Sequence, residues 1–469
     1  MRVIVLFLSL LSFPLLAPIN LHAMVDPAVT SPITTASLDR LLERAMADDL
    51  IAGGVVVVGN HEGILATASR GQVSSAAGSP AITDRTIFDV ASLTKVIATT
   101  PAVIKLLDDG RIALTDPLSR WFPELSGTDK GSVTILNLMT HTSGFSDVMV
   151  GPDRSVEGLV RKVAAQRSRP AGSGFEYADI NFILLGELVH RVSGERLDRF
   201  CSEEIYAPLG TRDTAFLPSR DGGNDIAPTS GSQGGVVQDQ NARLLGGVAG
   251  HAGLFSSAYD LARYARLMLG KGTLDGTRIL SEEAVGQMTT PYLCNNGRVK
   301  RGLGWDISSP FSAPKGTLFS DASYGHTGYS GSSIWIDPQQ DMFVIMLTRR
   351  VDYRNVHNFN QLRRNVSTVA AADFRGGTGD AVPAVEAEVV NARIIAASTA
   401  VVRKEPRRFK LALFGHRDDR RAAKCSVKPG RRVLQARAGH RGKNIAKVAK
   451  NETGKHRAGV KKRRALPKS

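Results

Sequence analysis

The stretch FDVASLTKVIATT, Phe88–Thr100, places a serine and a lysine three residues apart where an apolar, helix-like run begins. Positions i and i+3 share one face of a helix, so the Ser92 hydroxyl and the Lys95 amine can approach each other. Such a lysine can act as a base if burial and a neighbouring cation lower its pKa. The alternative is a serine cap followed by a solvated lysine. Because the same spacing recurs at Ser312 and Lys315 in a Pro/Gly loop, it alone does not decide between the two.

Two further segments bear on that choice. GSGFEYADINFILLGELVHRVSG places Tyr177 in a loop just before a predicted helix, and GHTGYSGSSIWIDP places His326, Thr327 and Gly328 on the approach to a strand. Taken singly, Tyr177 fits a packed loop aromatic, and Asp179 fits a helix cap. Taken in order, the three elements form one pattern, with about 85 residues between the first two and about 150 between the last two.

Ser-x-x-Lys, a Tyr-x-Asn-like loop and a Lys/His-Thr-Gly strand, in this order, are the triple signature of the penicillin-recognising serine enzymes. From about Ser37 to Phe374 the chain resembles the class C β-lactamase and D-Ala-D-Ala carboxypeptidase group, which includes the family VIII esterases and D-aminopeptidases. Phrases such as DPLSRWFPEL, VTILNLMTHTSGF and GGVAGHAGLFSSAYDLARYARLML support the resemblance. It implies a β-lactamase/transpeptidase-like α+β fold.

The resemblance also implies roles for individual residues. Ser92 would be the acylated nucleophile, Lys95 its proton acceptor and Tyr177 a second general acid–base group. The other implied roles concern substrate binding: His326 near the substrate carboxylate, Thr327 hydrogen-bonded to that carboxylate, and an oxyanion hole made by the N–H groups of Ser92 and of Tyr329, which follows Gly328.

Two positions depart from the signature. Asp179 replaces an amide that can both donate and accept hydrogen bonds, whereas a carboxylate only accepts. We therefore expect Asp179 to hold Lys95 in its charged form and to weaken binding of a substrate amide. His326 stands where many relatives carry lysine. A neutral imidazole attracts a carboxylate less, which argues against an efficient β-lactamase.

The remaining pattern predicts how the sheet is built. A helix is expected from about Ser37 to Asp49, followed by two strands joined by a turn at Asn60–Gly63. The helix opening at Ser92 is expected to run to about Asp109, with a kink near Ile97 caused by Pro101. Later helices are predicted at 180–192 and 258–269, strand signals at GWDI, SSIWIDP and DMFVIMLTRRV, and a closing helix at 356–374. We expect an antiparallel sheet built from both ends of the chain, flanked by helices and capped by a helical insert domain.

The two ends of the chain differ in composition from the domain predicted at 32–374. Residues 1–23 are predicted to be a secretory signal peptide, which makes the protein exported, periplasmic or secreted. Residues 375–469 are predicted to be a disordered basic tail, because residues 401–469 carry 24 Lys/Arg against 4 Asp/Glu, whereas residues 1–400 carry 36 against 40. The tail is a candidate for binding anionic cell-envelope polymers; a solvated tail without a partner is the alternative. No nucleic-acid partner is expected.

Other chemistries find little support. The sequence has no G-x-S-x-G elbow, no H-E-x-x-H and no P-loop, so neither a metal nor an organic cofactor is predicted. The three cysteines lack metal-site spacing, and pairing of Cys201 with Cys294 stays open. His141 and His251 are interpreted as structural loop positions.

The sequence therefore predicts a serine hydrolase that works through an acyl-enzyme, most simply a DD-carboxypeptidase-like peptidase or an esterase. Its substrates would be cell-wall D-alanyl peptides, esters or β-lactams. A class C-type β-lactamase and a non-catalytic peptidoglycan-binding relative are the alternatives.

Overall fold

The computed structural model describes residues 34–219, 226–229 and 233–377. The predicted signal peptide and nearly all of the predicted tail lie outside these residues. The closing helix extends to Gly377 and so includes the first three residues of the predicted tail.

The described residues contain fourteen strands, and most of the longer ones lie near the two ends of the domain. In chain order they are β1 Ile51–Gly59, β2 Ile64–Gly71, β3 Ile87–Asp89, β4 Ala215–Phe216, β5 Ile226–Ala227, β6 Leu254–Ser257, β7 Thr273–Leu274, β8 Thr277–Arg278, β9 Tyr292–Cys294, β10 Val299–Arg301, β11 Asp306–Ser308, β12 Tyr324–Thr327, β13 Ser333–Asp337 and β14 Met342–Arg350.

The α-helices fill the middle of the domain and flank both ends. They are α1 Ala36–Ala47, α2 Thr100–Asp108, α3 Ile135–Met139, α4 Val156–Ala165, α5 Asp179–Ser193, α6 Leu197–Cys201, α7 Ala207–Leu209, α8 Gln240–Leu244, α9 Ala258–Leu269, α10 Glu282–Thr289 and α11 Val356–Gly377. The predicted helices at both ends and at 180–192 and 258–269 are confirmed, as is the hairpin of β1 and β2.

The main sheet has eight antiparallel strands in the order β2-β1-β14-β13-β12-β11-β10-β9. Strand β1 pairs with β14 over most of its length, with Val55 opposite Leu347 and Val57 opposite Ile345. The sheet thus joins both ends of the domain, as predicted. A second sheet, β4-β6-β3-β5, includes one parallel pair, β3 with β5, which the sequence did not predict.

The run of four valines in β1 is apolar because both faces of the sheet are covered. Val56 and Val58 pack in a core with α1 and α11, whereas Val55 and Val57 belong to the larger core under the central helices. Successive side chains of a strand point to opposite faces, so one strand supplies both cores. The larger core positions the segment that carries Ser92.

The segment after Ser92 differs from the single kinked helix expected. A 3₁₀ turn, Ala91–Leu93, leads into a π-helical turn, Lys95–Thr99, and only then into α2. Pro101 cannot donate to the Ile97 carbonyl, and the Tyr206 hydroxyl donates to it instead, at 3.3 Å. The irregularity therefore falls where the proline predicted it, as a widened turn.

Cys201 and Cys294 are both buried free thiols, so the disulfide left open by the sequence is not formed. Among the helices of the described residues, none combines the length and the apolar character needed to cross a bilayer.

Candidate active site

The backbone before Ser92 is held in an uncommon conformation. Ala91 has a φ of 48°, a left-handed value that a residue with a side chain adopts at a cost of about 1 kcal/mol or more. The Asp89 carboxylate supports this turn by accepting N–H groups of Ala91 at 2.8 Å and Gln238 at 2.7 Å. Burial raises the pKa of Asp89 to about 6, against the lowering effect of these bonds. The turn leaves Ser92 partly exposed while its neighbours are buried.

Lys95 is fully buried, and its three N–H groups all have acceptors. The ammonium group donates to Ser92 Oγ at 3.1 Å, to Asp179 Oδ1 at 2.7 Å and to the His251 carbonyl at 3.1 Å. The structure thus brings together Ser92, Lys95 and Asp179, the residue at which the second motif departs from the family signature. Asp179 makes no capping bond to the first turn of α5, so its interpretation as a helix cap is wrong.

The Asp179 carboxylate controls the charge of Lys95. Burial lowers the pKa of Lys95, but the carboxylate and the Tyr177 hydroxyl raise it by more, so the net direction is upward. The lowered pKa that would make a lysine a ready base is therefore not found in the substrate-free site. Lys95 is therefore a charged donor in this site, as expected from the carboxylate at position 179.

Tyr177 lies over the lysine and lines the site. Its ring centroid is 5.1 Å from Lys95 Nζ, 6.0 Å from the His326 ring and 5.4 Å from the Phe311 ring. Burial raises the pKa of the phenol, while interactions with Lys95 and Ser92 lower it by less, so the hydroxyl is neutral at pH 7. Tyr177 can therefore donate a proton or pass one between Ser92 and Lys95.

His141 contacts the site although the sequence suggested only a loop position. Its ring stacks on Tyr177 with centroids 4.5 Å apart, and its Nδ1 accepts the Ala178 N–H at 3.3 Å. Burial, with the charges of Arg301 and Lys95, lowers the pKa of His141 well below its usual value. The neutral imidazole therefore fixes the Tyr177 loop and does not act as a cation.

His251 also contacts the site, through Lys95. Besides its carbonyl bond to Lys95, its Nε2 lies 2.8 Å from Asp239 Oδ1. Burial raises the pKa of Asp239, but the interactions with His251, the Ala242 N–H and Lys95 together outweigh burial and lower it to about 2. Ligand-type atoms of Asp179, Asp239 and His251 lie within 4.8 Å of one another. The Lys95 ammonium already supplies a positive charge to this group, which disfavours a metal ion there.

His326 and Thr327 lie on β12 beside Tyr177. His326 is buried, and its Nδ1 is 2.8 Å from the Thr327 carbonyl oxygen. Burial, with the charges of Arg301 and Lys95, lowers the pKa of His326 well below its usual value. His326 is therefore neutral, and the substrate-carboxylate position lacks the charge that a lysine would supply.

The turn after β12 is attached directly to the backbone before Ser92. Ser330 Oγ donates to the Asp89 carbonyl at 2.6 Å, and Ser332 Oγ donates to the Val90 carbonyl at 2.8 Å. A Cβ at Gly328 would collide with the Val90 carbonyl and the Ser332 hydroxyl. The glycine of the third motif is therefore required for close approach of two backbones.

Two backbone N–H groups at this junction are free to bind a substrate. Among the described residues, the N–H groups of Ser92 and Tyr329 have no protein acceptor. These are the two groups that the resemblance assigns to the oxyanion hole, and free donors are what such a hole requires. The Tyr329 side chain itself is half exposed and lies against Tyr353, with ring centroids 5.0 Å apart.

Residues 38–365 match the family model described as Beta-lactamase. The chain belongs to the β-lactamase family. A curated relative, the "Putative D-alanyl-D-alanine carboxypeptidase" of Escherichia coli (strain K12), is 31% identical over 306 residues, covering 57% of this chain and 70% of the relative. The membership and the site geometry together make the protein a hydrolase of β-lactamase fold with a serine nucleophile.

Solved structures of the family share the fold. A class C β-lactamase has a TM-score of 0.60 at 21% identity, covering 74% of this chain and 97% of its own. A penicillin-binding protein homologue from Caulobacter crescentus has a TM-score of 0.60 at 20% identity, covering 72% and 97%. A hydrolase with promiscuous acyltransferase activity has a TM-score of 0.59 at 19% identity, covering 71% and 98%. The predicted fold class is confirmed.

Proposed function

We propose that this β-lactamase-family protein is an exported serine hydrolase, either a DD-carboxypeptidase-like peptidase or an esterase, that forms an acyl-enzyme on Ser92. The observation that carries the proposal is the contact between Lys95 Nζ and Ser92 Oγ at 3.1 Å, next to the free backbone N–H groups of Ser92 and Tyr329. A nucleophile, its base and an oxyanion site are the parts that acyl transfer needs.

In the acylation step, Ser92 Oγ bonds to the substrate carbonyl carbon and the carbonyl π electrons move to its oxygen. The Ser92 proton passes to Lys95 once that amine is free of its third proton. As the leaving alcohol or amine separates from the carbonyl carbon, Tyr177 is placed to protonate it and to take up in return the proton that Lys95 received from Ser92. Water then attacks the ester on Ser92, releasing the acid and restoring the hydroxyl.

Three features of the site favour small esters and uncharged acyl groups over β-lactams. His326 is neutral, and the nearby Arg301 is paired with Asp306 at 3.1 Å. Neither residue therefore offers a free positive charge to a substrate carboxylate. The Asp179 carboxylate lacks the amide hydrogens that bind a substrate amide carbonyl. The half-exposed ring of Phe311, packed on Tyr177, offers an apolar contact at the site.

Turnover tests the proposal. Wild type and Ser92→Ala are compared on a nitrophenyl ester, a D-alanyl-D-alanine peptide and a chromogenic cephalosporin. We expect Ser92-dependent hydrolysis of the ester, slower release of D-alanine, and acylation by the cephalosporin with slow deacylation. Fast cephalosporin turnover would support the class C β-lactamase alternative. Equal rates for wild type and Ser92→Ala on all three substrates would contradict the proposal.

Export and the role of the basic tail rest on sequence alone, and both are proposals. The charge of residues 401–469 fits electrostatic retention at an anionic cell envelope. Sedimentation with cell walls at low salt tests this for the full chain and for a chain ending at Gly377. We expect only the full chain to sediment; equal sedimentation would contradict retention by the tail.

A further inference from the structure

The turn between β12 and β13 carries a buried arginine on its far side. Arg363 of α11 is 4% exposed, and one of its terminal nitrogens donates to the carbonyls of both Gly328 and Ser332, the latter at 3.0 Å. Its other terminal nitrogen donates to Asn360 Oδ1 at 3.1 Å. Among the described residues, no carboxylate forms an ion pair with Arg363. Apart from the Asn360 amide oxygen and the Phe359 ring, whose centroid is 4.7 Å from the guanidinium carbon, the charge is directed at backbone carbonyls.

Such a charge is costly to keep in this position. Burial and, to a smaller extent, the positive charge of Arg350 together lower the pKa of Arg363 to about 9. An apolar side chain in a well-packed interior usually avoids this cost. The cost of burying this guanidinium without a carboxylate partner therefore indicates that Arg363 has a role beyond packing.

The Gly328 carbonyl belongs to the same peptide unit as the Tyr329 N–H. A trans peptide unit is planar, and its C=O and N–H point in opposite directions. A donor bound to the Gly328 oxygen therefore fixes the direction of the Tyr329 N–H. That N–H has no protein acceptor among the described residues. Arg350 adds a second constraint, because its Nη1 donates to the Tyr329 carbonyl at 3.1 Å.

The first oxyanion donor is supported in the same way. The Ser92 N–H shares a peptide unit with the Ala91 carbonyl, which accepts the Thr94 hydroxyl at 2.6 Å. The Ala91 carbonyl thus accepts a neutral hydroxyl, whereas the Gly328 carbonyl accepts the neutral Gly331 N–H at 3.1 Å and, in addition, the charged guanidinium. A charged donor at a carbonyl polarises the peptide and strengthens its N–H as a donor.

We infer that Arg363 is a positioning residue for the oxyanion hole, which orients and polarises the Gly328–Tyr329 peptide so that the Tyr329 N–H meets the negative oxygen of the transition state. The inference rests on the proposed function, because it assumes a reaction in which a carbonyl oxygen becomes charged. Arg363 touches neither the substrate nor Ser92; it acts through one peptide unit.

Steady-state kinetics on a nitrophenyl ester test the inference with Arg363→Met, Arg363→Lys and the control Arg364→Met. Arg364 is the next residue on α11 and is exposed. Removing one oxyanion donor costs about 10²–10³ in kcat, so displacing one by Arg363→Met should lower kcat roughly 10- to 100-fold. KM should change less than about threefold, Arg363→Lys should recover part of kcat, and Arg364→Met should match wild type.

Circular dichroism of each variant separates positioning from folding. Folded Arg363→Met with wild-type kcat, or with a raised KM alone, overturns the inference. If Arg363→Met does not fold, Arg363→Lys decides: lowered kcat at unchanged KM supports the inference, and wild-type kcat overturns it. Ser92→Ala is run beside these variants. Failure of the proposed function shows as wild-type turnover equal to that of Ser92→Ala, whereas failure of the inference leaves wild-type turnover dependent on Ser92.

Discussion

Ser92–Lys95 and Ser312–Lys315 have the same spacing, and each pair lies in or beside a 3₁₀ turn. In the first pair the lysine is fully buried and donates to its own serine at 3.1 Å. In the second, the serine donates to Asp306 Oδ2 at 2.9 Å, and the half-buried lysine lies 3.4 Å from the Ile307 carbonyl. The second lysine therefore has no contact with its serine that could activate it.

The two pairs differ most in where their partners come from. Lys95 bonds to Asp179 and to the His251 carbonyl, which lie 84 and 156 residues away in the chain. The partners of the Ser312 hydroxyl lie three and six residues away, and that of the Lys315 amine lies eight residues away. A nucleophile is thus distinguished from a structural serine by groups that the fold brings from distant segments. The following predictions test that difference, beginning with the largest effect.

Exchanging each lysine for methionine should separate the two pairs. Lys95→Met removes the amine that contacts Ser92 Oγ, so we expect ester hydrolysis to fall by about 10²-fold or more. Lys315→Met should leave the rate within about twofold, because that amine is remote from the nucleophile. Rates of ester hydrolysis at one pH check both. Equal losses in the two variants would contradict the comparison.

Asp179→Asn should change the pH dependence of the first pair. The carboxylate raises the pKa of Lys95, and Lys95 must lose a proton before it can accept one from Ser92. Acylation should therefore increase with pH, and removing the carboxylate should move that increase to lower pH by about one unit or more. Stopped-flow acylation across pH measures the shift.

Glu176→Gln is the matched control for that shift. Glu176 lies three residues before Asp179, and its carboxylate is paired with Arg169. Its removal should leave the pH profile unchanged. If Asp179→Asn also left the profile and the substrate range unchanged, control of Lys95 by Asp179 would be excluded.

Ser312→Ala should affect stability and leave catalysis unchanged. Ser312 Oγ donates to Asp306 and accepts the Ser309 N–H at 2.7 Å, so the alanine leaves buried polar groups unpaired. We expect the free energy of unfolding to fall by about 1–3 kcal/mol with kcat retained. Denaturant unfolding and ester hydrolysis measure the two. A loss of kcat at unchanged stability would show that the second serine is the nucleophile.

Local patterns predicted what local physics decides. The bounds of α9 and the turn between β1 and β2 follow from apolar periodicity and turn residues, and Pro101 located the irregular segment after Ser92. The order of three motifs was enough to bring Ser92, Tyr177 and His326 together. These features depend on nearby residues or on a signature that already encodes the fold.

Contacts between distant segments could not be predicted in the same way. Neither the stacking of His141 on Tyr177 nor the pairing of His251 with Asp239 has a sequence spacing that specifies it. In the sequence, Arg363 is indistinguishable from any other helix arginine, and only the fold shows that it donates to the Gly328 carbonyl. The charge of Lys95 likewise depends on the distance to Asp179. Each of these features follows from packing, which the sequence pattern does not contain.

The identity of the acylated serine tests the central claim most directly. The protein is incubated with a labelled penicillin or a fluorophosphonate, digested and mapped by mass spectrometry. We predict one adduct on the peptide that carries Ser92, none on the peptide that carries Ser312, and no adduct in Ser92→Ala. An adduct on Ser312, or an equal yield of adduct in Ser92→Ala, would contradict the account.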